Sequence, residues 1–295
     1  MIGKHYSVQD KIYKIFVYAI TTLFALACLY PFLYVLMMSV TPYQEYLDNP
    51  LRLIPSHLDF SAYRTLLNFP LIYSGYRVTI FITVVGTLMN IILMCLTAYP
   101  LSKKDLKGRT FFLGLIVFTM FFNGGMIPNF YLIRTLNLYD TIWALILPTV
   151  LSAYNLILMK NFISQIPDSL EESAVIDGAN EFVILWKIIV PLSKPAIATF
   201  IIFYAVGQWN TFFNAILYTS SRDLWPLMLI LREMVVEDSM TMAYSGNNAV
   251  MDQGTATIFT MKMAIIIISV LPILCIYPFM QKYFTKGIMV GSMKG

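Results

Sequence analysis

Charge is what this sequence has least of. Asp, Glu, Lys and Arg make up 12% of its 295 residues, against about 25% in an ordinary soluble domain. Half the usual share cannot cover a water-facing surface. A soluble enzyme, a disordered chain and a nucleic-acid-binding protein are therefore excluded. Cysteine is scarce too, and Cys28, Cys95 and Cys275 all lie inside apolar runs. That placing suits neither a disulfide framework nor a metal site, and reads as small apolar packing residues. The two histidines, His5 and His57, are far apart and outside those runs, so they make no zinc site. The chain has no G-x-x-x-x-G-K phosphate loop and cannot hold ATP through one.

What the sequence has is apolar length: 58% of its residues are hydrophobic. A membrane-spanning helix needs about 20 mostly apolar residues. Six stretches qualify: Phe16 to Val40, Val78 to Leu101, Thr110 to Ile127, Thr141 to Met159, Ala196 to Tyr218 and Met263 to Met280. Lys4, Lys11 and Lys14 precede the first, but it is too long for a signal-peptide core and lacks an A-x-A site, so it reads as a retained helix. The expected fold is all-α and integral to a membrane, with six transmembrane helices.

None of the six cores contains Asp, Glu, Lys, Arg or His. Intramembrane ionisable residues mark proton relays, ion pathways and voltage sensors. Their absence argues against a proton-coupled carrier, an ion pump and an intramembrane protease. Energy for uphill transport would have to come from another subunit.

Lysine and arginine in the loops set the orientation. With the N-terminus inside, cytoplasmic segments hold 13 of the 20 basic residues. The run Ser102 to Arg109 is the strongest local anchor. Both termini are expected in the cytoplasm. The organisation is then a cytoplasmic segment over 1–15, a transmembrane domain over 16–284 and a cytoplasmic tail over 285–295. Three connections are long: Thr41 to Arg77 and Thr219 to Lys262 outside, and Lys160 to Pro195 inside. Long loops in compact proteins usually carry function or structure of their own. Leu224 to Met234 is apolar enough for a short interfacial helix, and Tyr244 to Asn248 is turn-rich.

The cytoplasmic segment Ile166 to Pro195 reads as two short helices around a turn. Asp168 can cap the first, with Glu171 three residues on as a capping box. Gly178 supplies the left-handed position that ends it. Asn180 can cap the second and Pro191 stop it. Ser173 and Ala174 are small, so another surface can approach closely. The result is a rigid knob, suited to mechanical coupling rather than catalysis.

This knob resembles the E-A-A-x-x-x-G loop of ABC importer permeases. Glu172-Ser-Ala174, three residues, then Gly178 keeps the spacing, with Ser173 where Ala is usual. Ile176-Asp-Gly-Ala179 and Ile188-Ile-Val-Pro-Leu-Ser-Lys-Pro195 are similar to the flanks of the carbohydrate branch, with Val190 where Leu is usual. Gln208-Trp-Asn-Thr-Phe212, followed by Trp225-Pro-Leu227, resembles the fifth helix and outer loop of maltose-type permeases. Asn123-Gly-Gly-Met-Ile-Pro128 and Leu138-Tyr-Asp-Thr-Ile-Trp-Ala144 resemble the sub-branch that imports oligosaccharides from complex polysaccharides. The tail from Lys282 to Gly295 is similar to that family's C-terminus, which reaches toward the ATPase dimer.

The resemblance implies a non-catalytic subunit of a bacterial cytoplasmic-membrane importer, working by alternating access. Its partners would be a second homologous permease, two ATP-binding subunits and an extracellular solute-binding protein. ATP and Mg would be bound by the ATPase partners, with no cofactor in this chain. Glu171, Glu172, Ser173, Ala174, Asp177, Gly178 and Ala179 would form the part that docks on an ATPase.

For the sugar path, Tyr204, Gln208, Trp209, Asn210, Phe213 and Asn214 place amides and hydroxyls among aromatic rings. Positions 207, 210, 211 and 214 share one helix face. Sugars bind through such hydrogen bonds and stacking without charge. Helix–helix packing through interhelical polar bonds accounts for the same residues. Arg77 and Lys262, at outer helix ends, can attract acidic sugars or simply anchor the helices at the interface. The competing reading is a stand-alone secondary sugar transporter or channel, which would work without partners.

Overall fold

Apolar runs set the architecture. The computed structural model describes residues 8–49, 54–236 and 258–292. Among them every regular element is a helix or a helical turn, with no strand. The turn-rich 244–248 segment lies outside the described residues.

Three helices are long and apolar enough to cross a membrane unbroken: Gln9–Met38, Pro70–Ser102 and Ile258–Pro278. The last two sit in helices Pro70–Ser102 and Ile258–Ser292, and the first in Val8–Met38. They correspond to the expected first, second and sixth spans. Inside lipid every backbone N–H and C=O must be satisfied within the protein, and a continuous helix does this alone.

The other three expected spans are not straight helices. Thr110 to Ile127 divides into Arg109–Phe121 and the start of Met126–Thr135, which leave each other at 117°. The side chain of Asn123 causes part of the break by accepting from Gly125 N at 2.9 Å, an alternative to the helix ladder. Gly125 turns the chain at φ +86°, where L side chains are strained. Thr141 to Met159 divides into Trp143–Thr149 and Ala153–Ile163, bent by 53°. Pro148 has no N–H to continue the first, and Ser152 caps the second by accepting from Asn155 N.

Ala196 to Tyr218 ends early, at Trp209, and resumes only as Phe213–Tyr218. The side chains of Asn210 and Thr211 fold back onto the carbonyls of Val206 and Gly207, at 2.9 and 3.3 Å. Helix Lys194–Trp209 instead forms a bent pair with the knob's second helix, at 82°. Counting each bent pair as one span, the described residues hold up to six.

Two bodies divide the chain: Met1–Phe69 with Met234–Val270, and Pro70–Glu233 with Leu271–Gly295. In the first, helix Val8–Met38 exposes its apolar length from Ile12 to Leu36. The chain after it is pinned by Ser39 Oγ against Tyr63 Oη at 2.6 Å and by Asp59 N donating to Val40 O. Tyr46 stacks on Phe259 at 4.2 Å between ring centres.

In the second body, helices Lys194–Trp209 and Ala153–Ile163 pack along Pro70–Ser102. Their shared core contains Met94, Ala98, Leu156, Met159, Ile184, Leu185 and Phe200. The short helix expected within Leu224 to Met234 is present as Leu227–Val236. Its first N–H, on Leu227, donates to Thr79 Oγ1 at 2.8 Å, so a side chain of the long span caps it. Gly75 permits this approach: a Cβ there would lie 2.4 Å from Ile230 Cδ1 and 3.4 Å from Leu227 Cα.

At the same end of this body Asp140, at φ +58°, ties two loops together. Its carboxylate accepts from Ser220 N and Ser221 N, both at 2.9 Å, and from Ser221 Oγ at 2.5 Å. Bonds from Ser221 foremost, then Ser220, hold its carboxyl pKa below the ordinary value. The ionised form is therefore the one that stabilises the fold. That stability is complete above the unfolded pKa and lost as pH falls through the folded one. Asp140→Ala should lower the melting temperature of the purified protein by roughly 2–4 °C. The gap between wild type and variant should narrow below about pH 4, and a gap that widens in acid would contradict this role.

Candidate functional site

The knob begins with Pro167, whose φ of −59° presets the first turn. Helix Asp168–Ile176 follows, with no side-chain hydrogen bond at its N-cap. The expected capping box is therefore absent. Asp168 occupies the first helical position, where its charge faces the positive end of the helix dipole.

The C-terminus follows expectation. Ala179 N donates to Ala174 O at 2.9 Å and Gly178 N to Val175 O at 3.0 Å. This pair of bonds is a Schellman motif, and it requires the left-handed residue that Gly178 supplies at φ +81°. Asn180 then caps the second helix, its Oδ1 accepting from Val183 N at 2.9 Å.

Pro191 does not stop that helix. Glu181–Ile184 passes through a wide π turn, Leu185–Ile189, into Val190–Leu192, and the break falls at Ser193. A π turn shifts the hydrogen-bond register ahead of Pro191, so its missing N–H leaves no gap in the ladder.

Some residues of the knob are packed and others exposed. Ala174 and Ala179 pack against the body's own core. Of the two small residues expected to admit another surface, Ala174 thus admits the chain itself, while Ser173 is exposed. Glu172, Ser173, Val175, Asp177 and Gly178 are exposed, and Ile176 most of all, at 86%. Phe182 adds a further exposed apolar side chain. The exposed surface of the knob is thus apolar at its centre with carboxylates beside it.

A cleft of about 1130 Å³ lies between the knob and the end of helix Pro70–Ser102, and Glu172, Val175, Ile176 and Phe182 line it together with Glu171 and Glu181. Tyr99 Oη donates to Glu181 Oε2 at 2.6 Å and lies 3.2 Å from Glu171 Oε2. Lys103 forms an ion pair with Glu171 and places its ammonium 4.6 Å from the Tyr99 ring centre. Burial lowers the Lys103 pKa, and the carboxylates of Glu181, Asp168 and Asp105 pull it back. Tyr99, Lys103 and Glu181 went unrecognised in the sequence. Lys103 counted only as one of a run of basic anchors, and no local pattern links it to residues some seventy positions away.

A second polar cluster lies among the helices. Asn90, fully buried, donates from Nδ2 to Thr149 O at 3.0 Å. This supplies a partner where the helix breaks after Pro148, as an apolar surrounding demands. Gln208 Nε2 reaches Asn90 Oδ1 and Thr149 Oγ1, both at 3.4 Å. Gly86 makes the room: a Cβ there would stand 2.9 Å from the Gln208 amide.

The six residues singled out for a sugar path do not lie on one surface. Tyr204, Gln208 and Trp209 are buried, and Trp209 meets Tyr76 edge-on at 6.4 Å. Asn210 and Phe213 are exposed, and Asn214 is half-buried. The four-position face from 207 to 214 assumed an unbroken helix, and the break at Asn210 interrupts it. Among the described residues no three His, Cys, Asp or Glu side chains converge as metal ligands would.

The model of a protein family described as "Binding-protein-dependent transport system inner membrane component" matches residues 1–290. A Bacillus subtilis polygalacturonan/rhamnogalacturonan transport system permease protein, YtcP, is 43% identical over 288 residues, covering 97% of this chain and 100% of the relative. An arabinooligosaccharides transport system permease protein of the same bacterium, AraQ, is 28% identical, covering 98% and 99%. Among solved structures, a chain of a bacterial ABC transporter involved in the import of the acidic polysaccharide alginate superposes with a TM-score of 0.86 at 36% identity. That match covers 95% of this chain and 99% of the other.

Proposed function

The chain belongs to the family of binding-protein-dependent transport system inner membrane components, and from that premise we propose that it is the permease subunit of an ATP-driven importer of oligosaccharides cut from acidic polysaccharides. The observation that carries the reading is the knob. It exposes Glu172, Val175, Ile176 and Asp177 on a helix pair whose turn is fixed at Gly178 and Asn180 and whose Ala174 and Ala179 are packed against the core. An exposed apolar centre with a charged rim has the composition of a docking surface. The chain has no phosphate loop of its own, so the surface is where energy enters.

In this mechanism the knob and both termini face the cytoplasm. Two ATPase subunits bind ATP and Mg and close on each other. Each drags a docked knob, and the spans swing from inward-open to outward-open. A second permease lines the other half of the path, and an extracellular solute-binding protein delivers the sugar. The chain itself performs no catalysis. The broken helix at Asn210 to Phe212 supports a sugar path there, because unwound polar backbone at membrane depth is tolerated where it lines a cavity. Tyr204, Gln208 and Trp209 would shape that path from behind, with Asn210, Phe213 and Asn214 toward it. The acidic class of sugar is supported by the relatives that carry polygalacturonan/rhamnogalacturonan and alginate in their names.

The test is reconstitution. In proteoliposomes this chain alone should neither hydrolyse ATP nor take up sugar. With a partner permease, the ATPase and a loaded binding protein, uptake should depend on ATP and be competed by oligogalacturonides in preference to neutral arabino-oligosaccharides. Uptake by the isolated chain would restore the stand-alone carrier.

A further inference from the structure

We propose that Tyr99 and Lys103, at the end of helix Pro70–Ser102, are positioning residues that lock Glu171 and Glu181 of the knob, so that knob and span move as one piece. The proposal rests on the reading of the knob as the ATPase contact, and it divides two adjacent glutamates between two tasks.

The donor count supports it. Tyr99 has one hydroxyl proton, and its nearer acceptor is Glu181, at 2.6 Å against 3.2 Å for Glu171. Lys103 supplies Glu171 with a donor of its own. Each carboxylate is thus served, and both bonds are of the strong charge-assisted kind. Glu171 lies on the knob's first helix and Glu181 on its second. Two anchor points, one per helix, prevent the pair from pivoting about either.

The tie also does what the apolar contacts cannot. Ala174 and Ala179 pack against the core, but burial is non-directional and small side chains slide. Hydrogen bonds to fixed partners set a register. Lys103 is itself fixed, half-buried over the Tyr99 ring. Its removal would leave Glu171 and Glu181 facing each other, with Asp168 and Asp105 close by, and like charges repel. The knob would then tilt away from the span while keeping its own fold, since the caps at Gly178 and Asn180 do not involve Lys103. Glu172, next to Glu171 but exposed, is left free for a partner.

The experiment uses the complete reconstituted transporter. Cys28→Ser and Cys275→Ser remove the exposed thiols, and spin labels are attached through Lys107→Cys and Ser169→Cys, both exposed positions outside the docking face. Two quantities are read: the width of the label-to-label distance distribution and the sugar imported per ATP hydrolysed. Tyr99→Phe and Lys103→Met should each widen the distribution and lower the import ratio by roughly tenfold, while ATP is still hydrolysed. Lys103→Arg, which keeps a cationic donor, should recover most of both. Glu172→Gln should leave the width alone. Wild-type widths and import ratios in Tyr99→Phe and Lys103→Met would overturn the proposal. The distance measurement does not depend on sugar identity, so a failure of the transport reading (a wild-type complex that imports nothing) is separable from a failure of the latch.

Discussion

Gly178→Pro should abolish ATP-driven uptake. Residue 178 sits at φ +81°, and proline locks φ near −65°. The substitution also removes the N–H that donates to Val175 O. Both halves of the Schellman motif fail together. The chain can then no longer turn back toward Asn180, and the second helix loses its cap. Gly178→Ala separates the causes. A Cβ at 178 would meet nothing within 4 Å, so alanine suffers only the left-handed backbone penalty of about 1–2 kcal/mol. Alanine should therefore retain much of the uptake and proline none. Membrane insertion and the melting of the spans should change little in either, because the strain is confined to the knob. The measurement is ATP-dependent uptake by the full complex, with helicity and yield of the purified subunit as controls. Uptake in the proline variant equal to wild type would remove the knob from its assigned role.

The contrast between what was legible in the sequence and what was not follows the range of the interactions. Apolar runs announce spans by composition, and Gly178 and Asn180 announce a helix end and a helix start by single-residue conformational preference. Both signals are local. The expected cap at Asp168 failed because Pro167 already set the turn and Glu171 had a distant partner, Lys103, to satisfy. The break after Pro148 could be suspected from the proline. Its consequence could not, because the freed Thr149 carbonyl is answered by Asn90, 59 residues earlier. Polarity inside an apolar run reads the same whether it faces a path, a partner helix or a broken carbonyl. The fifth span carries all three possibilities within seven residues, and only the fold separates them.

Trp209→Ala and Asn210→Ala should therefore fail in different ways, although the two side chains are adjacent. Trp209 is 7% exposed and meets the Tyr76 ring edge-on. Removing a large aromatic side chain from such a site costs about 3–5 kcal/mol. The melting temperature of the purified subunit should fall steeply, and uptake should fall only with the amount of folded protein. Asn210 is exposed, and among the described residues its Nδ2 bonds the Val206 carbonyl at the end of its own helix. Alanine there loses one surface hydrogen bond, so stability should hold. If the break at Asn210 to Phe212 touches sugar, uptake per folded transporter should drop by about tenfold, the equivalent of one hydrogen bond lost to a passing hydroxyl. Thermal melting and uptake, measured on the same preparations, give the two axes. A stable Trp209→Ala protein with lost uptake, beside an active Asn210→Ala protein, would reverse the assignment. It would put the indole in the path and the amide outside it.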